Sequence, residues 1–198
     1  QKISLLVIFF GCIFYGCMTR IQEKEVLKKL PIHARAKALA EHKYSDLSSL
    51  DLQGLNLSGL DFSSVDLSFS DLSETNLSNC DFRNADLSHC NMRDAEITGI
   101  NTQGTNLSYA DLRDIDNFRL ILQRDINLRS ATFEKLNFDS HTLCNINFSD
   151  CNMQNACFYN ATLEEINFSN TDLRGADFRN ARFKKVSFVG ADLQTCKF

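Results

Sequence analysis

The 198-residue chain has no tryptophan and only one proline, Pro31. Proline removes a backbone N–H, so its absence after residue 31 leaves the chain free to form an uninterrupted hydrogen-bonded ladder. The sequence also lacks a CxxC pair, a Cys/His cluster with zinc spacing, a glycine-rich phosphate loop and a nucleophile elbow. Its four histidines are dispersed. We therefore expect a protein without catalytic residues, metal ions or cofactors.

Basic residues are too few to favour nucleic acid as a partner. Lys and Arg number 21 against 25 Asp and Glu, which gives a net charge of −4. The charge is unevenly distributed, because residues 1–42 hold seven basic and three acidic side chains, whereas residues 43–115 hold four and twelve. Residues 116–198 are balanced. The acidic surplus therefore falls on residues 43–115.

An apolar run over residues 3–18, relieved only by small residues, predicts export or membrane anchoring. Such a run is short for a transmembrane helix, which needs about 20 residues, and fits the core of a signal peptide. It ends in Gly16-Cys17, which resembles a bacterial lipobox, where a small residue precedes an acylated cysteine. The resemblance implies a leader over residues 1–17, lipid attachment at Cys17 and a bacterial cell-envelope location. An uncleaved anchor, a simple secretion signal and a cytoplasmic chain are the alternatives.

The strongest pattern in the chain is a period of five. Every fifth residue from Leu47 to Leu112, and again from Leu128 to Phe198, is Leu or Phe, and we term this residue the centre of its unit. The exceptions are Met92, Ile97, Thr102 and Met153. A period of five fits neither an α-helix nor a β-strand, so it predicts a repeat architecture.

Four such units per coil would place residue n over residue n+20. The centre and the small residue two positions before it would then point inward, and the other three positions would face water. All six glycines of the array lie two residues after a centre, a position that asparagine often shares, and both residues tolerate turns. Four of the six cysteines after residue 17 occupy the small inward position, which favours buried free thiols over disulfides.

The unit itself is visible in residues 84–88 (Asn-Ala-Asp-Leu-Ser) and 175–179 (Gly-Ala-Asp-Phe-Arg). The chain resembles pentapeptide repeat proteins, whose consensus is Ala-(Asp/Asn)-Leu-x-x, over about residues 45–198. The resemblance implies an all-β fold, a right-handed quadrilateral β-helix with an unbranched hydrophobic spine. We assign the array to residues 44–198, in two lobes, 44–112 and 128–198.

Residues 113–127 form a break in phase, after which the centres resume one residue out of frame. Extending the later frame backward would bury Asp116, at a cost of several kcal/mol for an unpaired carboxylate. The sequence therefore predicts a bulge or short loop that joins the two lobes. Leu120 and Leu122 within it are candidate partner-binding residues. The alternative is an insertion that the fold tolerates at a corner.

The two ends of the array differ. Residues 18–43 combine Leu and Ala with many Lys and Glu, which predicts a helical tether and an N-terminal cap, with the stretch after Pro31 covering the first coil. At the other end Phe198 is itself a centre residue. An uncovered coil tends to pair with another chain, so the sequence predicts a homodimer formed through the C-terminal end near Phe198.

The surface must carry the function. Asp46, Asp66 and Asp86 fall into one column, which either recruits a basic partner or holds turn-compatible residues that bind their own backbone. We predict a non-enzymatic, membrane-anchored or secreted scaffold that binds a protein partner. The resemblance implies two alternatives, an acidic DNA mimic that binds a type II topoisomerase and a secreted effector.

Overall fold

The computed structural model describes residues 20–41, 44–115, 122 and 126–198. The predictions that concern the leader, Cys17 and Leu120 lie outside these residues.

The array is a repeat solenoid in which each residue before a centre pairs with the residue twenty positions later. Asp46 bridges Asp66, and Asp66 bridges Asp86, all in the parallel sense. Backbone hydrogen bonds follow the same register, as where Leu67 N–H donates to the carbonyl of Asp86 at 2.7 Å. Twenty residues hold four five-residue units, so one coil stacks on the next as predicted.

In the later coils one row of units is extended enough to form a parallel sheet. Its strands are β1 (Thr142–Cys144), β2 (Thr162–Glu164) and β3 (Arg182–Lys184), in the order β1-β2-β3. The register pairs Leu143 with Leu163 and Leu163 with Phe183, again twenty residues apart.

A tight turn follows the centres outside the three strands, and the residue two after a centre is left-handed throughout the described array. The turn closes when the residue three after the centre donates to the carbonyl of the centre, as Ala85 N–H does to Phe82 at 2.9 Å. The residue two after the centre has φ between 54 and 75° in each described turn, for example Asn84 at 56° and Gly104 at 71°. Positive φ at this position defines a type II turn, which glycine and asparagine tolerate best. The prediction made from the glycine phase is confirmed.

The centres and the small residues fill the interior. Phe82 and Phe148 are fully buried, and Ala156 and Ala176 fill the small positions. Phenylalanines twenty residues apart stack with their rings nearly parallel, Phe158 and Phe178 lying 4.8 Å apart between centroids. Alternation of large centres and small partners allows a narrow interior to be filled closely.

Polar residues at the small position also donate a hydrogen bond. Ser70 Oγ and Thr105 Oγ1 donate to the carbonyls of centres in the preceding coil, at 2.9 Å to Leu47 and 2.7 Å to Phe82. The thiols of Cys80, Cys90, Cys151 and Cys196 donate in the same manner. All six cysteines of the described residues are free, and three of them are buried. Ser, Thr and Cys therefore replace Ala without leaving an unpaired polar atom.

The ladder continues across the phase break with one additional residue. Asn106 bridges Asn127, and Leu107 N–H donates to the carbonyl of Asn127 at 2.8 Å. In the next row, Leu112 N–H donates to the carbonyl of Thr132 at 3.0 Å. The separation is 21 residues instead of twenty, so the coil that contains the break absorbs a one-residue insertion while these rows stay in register.

Two helices precede the array, α1 (Arg20–Lys29) and α2 (Ile32–Glu41), on either side of Pro31. Leu27 and Leu39 are buried in the same hydrophobic core as the first coil. Arg35 Nε donates to two carbonyls at the end of this helical segment, at 3.2 Å to Leu27 in α1 and at 3.2 Å to Leu30, which follows Lys29. Arg35 also donates to the carbonyl of Asp51 in the array. Neither helix is long and apolar enough to cross a membrane.

Candidate interaction surface

The acidic column of Asp46, Asp66 and Asp86 is built by the bridges between successive coils. Each carboxylate accepts a hydrogen bond from the backbone N–H two residues later, and Asp66 accepts it from Ser68 at 2.9 Å. The column continues in Asn106, whose Nδ2 donates to Asp86 Oδ1 at 3.0 Å. The carboxylates therefore serve their own turns, and the three residues are partly exposed.

Asp46 is tied to the helical segment. Lys24 Nζ lies 3.0 Å from Asp46 Oδ1. Partial burial opposes ionisation of this carboxyl, but hydrogen bonds from Ser48 and Lys24 and the Lys24 charge outweigh it and lower its pKa. The first carboxylate of the column is therefore neutralised by a fixed partner.

Arginine neutralises four other aspartates through a short local motif. Where Asp precedes a centre and Arg follows it, the guanidinium folds back over the carboxylate in a forked pair. The four pairs are Asp81–Arg83, Asp111–Arg113, Asp172–Arg174 and Asp177–Arg179. The Arg179 hydrogen bonds lower the pKa of Asp177 to about 2. Sequence reasoning missed this motif, although the Asp-x-Arg spacing could have shown it.

Asp66, Asp71 and Asp86 have serine where those motifs have arginine. Among the residues that the structure describes, no Lys or Arg forms an ion pair with these three carboxylates. Asp66 and Asp86 lie above one another in successive coils, and Asp71 lies in the next unit of the same coil as Asp66. The turn between these two units forms a corner of the solenoid. Negative charge without a basic neighbour is therefore concentrated at this corner.

Three aromatic rings stand on that same corner. Phe69, His89 and Tyr109 lie twenty residues apart at the left-handed turn position, and we term them the aromatic column. The centroids of Phe69 and His89 are 4.5 Å apart, those of His89 and Tyr109 are 4.7 Å apart, and adjacent rings are parallel within 5°. Phe69 is 61% exposed and Tyr109 is 53% exposed. This column was not predicted from the sequence, although three aromatic residues twenty apart at the same turn position could have indicated it.

The other predicted contact residues lie elsewhere. Leu122 is partly buried and packs against the hydrophobic core, so only part of its side chain is accessible. On the last coil Phe198 is 66% exposed, Phe183 43% and Val189 74%. The structure does not bring Leu122 together with the acidic column or with Phe198.

In the described ranges, no group of three or more His, Cys, Asp or Glu could hold a metal ion. A cavity of about 490 Å³ is lined by Asp139, Ser140, His141 and Thr142. His141 Nδ1 lies 2.7 Å from the carbonyl oxygen of Asp139, so the ring is held by its own turn.

Solved structures similar to this chain include HetL, a pentapeptide repeat protein involved in heterocyst differentiation regulation in the cyanobacterium Nostoc sp. strain PCC 7120. It is 20% identical, the match covers 77% of this chain and 86% of that chain, and the TM-score is 0.33. A trypsin-treated form of QnrB1, a plasmid-mediated fluoroquinolone resistance protein, is 19% identical with the same coverage and a TM-score of 0.41. A pentapeptide repeat protein of the Arabidopsis thaliana thylakoid lumen is 26% identical, with 69% and 70% coverage and a TM-score of 0.21.

Among curated proteins, none matches the sequence. The family described as Pentapeptide repeats does match, in 8 copies that fall within residues 44–79, 61–99, 80–116, 126–164 and 163–198. Together these ranges cover all but the break and the segment before the array, and they follow the twenty-residue ladder seen in the structure. The chain belongs to the pentapeptide repeat family.

Proposed function

We propose that this protein is a non-enzymatic scaffold that binds a protein partner through the exposed columns of its solenoid. The observation that carries the proposal is the display of carboxylates without a described Lys or Arg ion-pair partner at Asp66, Asp71 and Asp86, on a frame of backbone hydrogen bonds between coils. The interior is filled by packed side chains, so recognition falls to the exterior. Asp46 contributes less because Lys24 already neutralises it. The right-handed, quadrilateral form of the coil is part of the proposal.

Cross-linking in the cells that produce the protein tests this function. A photoreactive residue in place of Ser68, between Asp66 and Asp71, is expected to form an adduct with a specific protein, identified by mass spectrometry. The same residue in place of Gln194, on the second half of the rod, is the control. Adducts of identical composition at both positions would remove the scaffold proposal, because they would show no preferred surface.

Leu120 and Leu122 remain a second proposed contact, supported by the partial exposure of Leu122 on the core. If Leu122 contributes to binding, the folded Leu122→Ser variant is expected to form less of the adduct at position 68. An unchanged amount of adduct would remove Leu122 from the contact surface.

The proposal places the protein in the bacterial cell envelope, either anchored through a lipid on Cys17 or secreted. It is supported by the apolar run over residues 3–18 and the Gly16-Cys17 pair. Metabolic labelling with palmitate is expected to mark the protein, and the Cys17→Ser variant should lose the label. A label that persists in the variant would remove the lipoprotein proposal, and a protein found only in the cytoplasm would remove export.

End-to-end dimerisation is also proposed, with a second copy covering the last coil. It is supported by the exposed rings of Phe183 and Phe198 beside Val189. Sedimentation equilibrium over a wide concentration range is expected to give a dimer mass, and the Phe198→Asp variant a monomer. A constant monomer mass for the unmodified protein would exclude the dimer.

A DNA mimic that binds a type II topoisomerase is the alternative, and QnrB1 carries the description of a fluoroquinolone resistance protein. Such mimicry requires a long negative face. In this chain arginine forks neutralise Asp172 and Asp177 in the later coils, which favours a local contact over mimicry. Inhibition of gyrase supercoiling by the purified protein would reverse this preference. A secreted effector, the other alternative, has no further support in the described residues.

A further inference from the structure

The aromatic column occupies positions that disfavour bulky side chains. Phe69, His89 and Tyr109 have φ of 61, 59 and 61°, the left-handed region that costs non-glycine residues steric energy. The same column elsewhere holds small or polar residues. These are Ser49, Ser130, Asp150, Asn170 and Gly190. Exposed rings on three successive coils, where the rest of the same column has none, point to a function for the rings beyond folding.

The rings form a ridge whose edges face solvent. Because the rings are parallel and stack along the column, His89 covers one face of Phe69 and one face of Tyr109. The residues directly before them, Ser68 and Ser88, are small and half-buried, so the rings stand above their surroundings. An apolar ridge of this kind offers contact area to side chains that approach from the side.

The carboxylates beside the ridge set its charge. Asp66 and Asp71 flank Phe69 along the chain, and Asp86 precedes His89 by three residues. Their partners are turn N–H groups, serine hydroxyls and the side-chain amides of Asn91 and Asn106, as where Ser73 Oγ donates to Asp71 at 2.6 Å. A partner with cationic side chains would supply the charge that arginine supplies at the forked pairs.

We propose that the aromatic column, together with Asp66, Asp71 and Asp86, is a docking surface for a protein segment that carries arginine and apolar side chains. This inference rests on the proposed protein-binding function and names the chemistry of the partner. Leucine-like groups would pack against the ring edges while guanidinium groups pair with the carboxylates on either side. Nucleic acids and anionic lipids are repelled by the same carboxylates. Glycans are disfavoured because sugar rings need open aromatic faces, and His89 covers one face of Phe69 and one face of Tyr109.

Binding of defined peptides to the full chain tests the surface. The probe is a fluorescent dodecapeptide of alternating Arg and Leu, with a Glu/Leu peptide and an Arg/Ser peptide of equal length as its matched controls. Fluorescence anisotropy is expected to show binding of the Arg/Leu peptide that weakens with added salt. The Glu/Leu peptide should not bind, and the Arg/Ser peptide should bind more weakly.

Two pairs of substitutions locate the binding. The Phe69→Asn/Tyr109→Asn variant introduces the residue that other turns of this array use, and Asp66→Asn/Asp71→Asn removes two charges with little change of shape. Each is expected to weaken binding by about tenfold or more, as interface anchors do. The control Glu96→Gln/Asp139→Asn removes two carboxylates from a different row and should change affinity less than about twofold.

Three outcomes would overturn the docking surface. Equal affinity in all variants with unchanged thermal melts would show that attraction is general to the acidic protein. Binding of cellohexaose that is lost in Phe69→Asn/Tyr109→Asn would make the column a glycan platform. Retention of the cellular adduct at position 68 in both test variants would leave protein binding in place and remove only this surface, so the two proposals fail separately.

Discussion

The thiol of Cys90 donates a hydrogen bond to the backbone carbonyl of Leu67, 23 residues earlier and 2.9 Å away. The same carbonyl accepts the N–H of Ser70 at 3.1 Å, which closes the turn after Leu67. The Leu67 carbonyl therefore accepts two hydrogen bonds, one within the turn of its own coil and one from the small inward residue of the next coil. Burial also raises the pKa of the Cys90 thiol to about 12.

Thiol reactivity is expected to follow this burial. Cys90 and Cys151, each with a pKa raised to about 12 by burial, should react slowly with iodoacetamide near pH 8 in the folded protein, because little thiolate forms. Cys144 is exposed and should react first among the described cysteines. Peptide mapping after timed labelling measures each site, with urea-unfolded protein as the control. Rapid labelling of Cys90 in folded protein would contradict this packing.

Alanine substitutions at two glycines distinguish the cost of a left-handed backbone from the cost of a steric clash. A Cβ on Gly54 would meet nothing within 4 Å, whereas a Cβ on Gly99 would clash with Asn79 Oδ1. The Gly54→Ala variant should lose about 1 kcal/mol of stability through its left-handed φ alone. Gly99→Ala should lose more, as measured by urea unfolding.

The Asn79→Ala background supplies the control for this pair. Without the Asn79 amide, the extra cost of Gly99→Ala over Gly54→Ala should largely disappear. An extra cost that is unchanged in that background would show that Asn79 is not its cause.

The phenylalanine stack is expected to dominate the stability of the later coils. Phe148 is fully buried and stacks on Phe168 with centroids 5.6 Å apart. The Phe148→Ala variant should lose about 3–5 kcal/mol in the free energy of unfolding, because it leaves a large cavity. The exposed Phe69→Ala variant should lose less than about 1.5 kcal/mol, the upper range for one aromatic stack. Similar losses for the two variants in thermal or urea unfolding would contradict the assignment of core and surface.

The Asp177–Arg179 pair should make stability depend on acid. Hydrogen bonds from Arg179 lower the pKa of Asp177 to about 2, below the unfolded value of about 3.9. A carboxyl whose pKa is lower in the folded state stabilises the protein above its unfolded pKa, and this stabilisation is lost as the pH falls from about 4 to about 2. Urea unfolding between these pH values should show a smaller loss for Asp177→Asn than for the unmodified protein. Asp192→Asn is the matched control. The Asp192 carboxylate lies 3.8 Å from Arg174, beyond hydrogen-bonding distance, so this variant should lose stability in acid as the unmodified protein does.

The solenoid could be predicted from the sequence because each unit repeats three constraints at fixed spacing. The centre must be large and apolar, the residue two before it must be small, and the residue two after it must accept a left-handed turn. Met92 and Thr102 show that the fold tolerates single centres that are neither Leu nor Phe, since both side chains are fully buried at centre positions. The twenty-residue register then follows from four units per coil.

The surface was harder to predict because its residues obey no packing rule. Asp66 and Asp81 occupy equivalent positions in their units, and only the residue two later, Ser68 or Arg83, decides whether the charge is neutralised. The aromatic column depends on three residues twenty apart, each of which alone reads as an ordinary turn substitution. The course of the chain at the break depends on the register of Asn106 with Asn127, which the shifted frame implies but does not fix.

The register across the break has an evolutionary consequence. Leu107 and Leu112 hold Asn127 and Thr132 in line although one extra residue lies between them, so a single coil can change length without misaligning its neighbours. Such an array can therefore gain single residues in its evolution while the bridges of Asn106 to Asn127 and of Asp111 to Thr132 keep the coils on either side aligned.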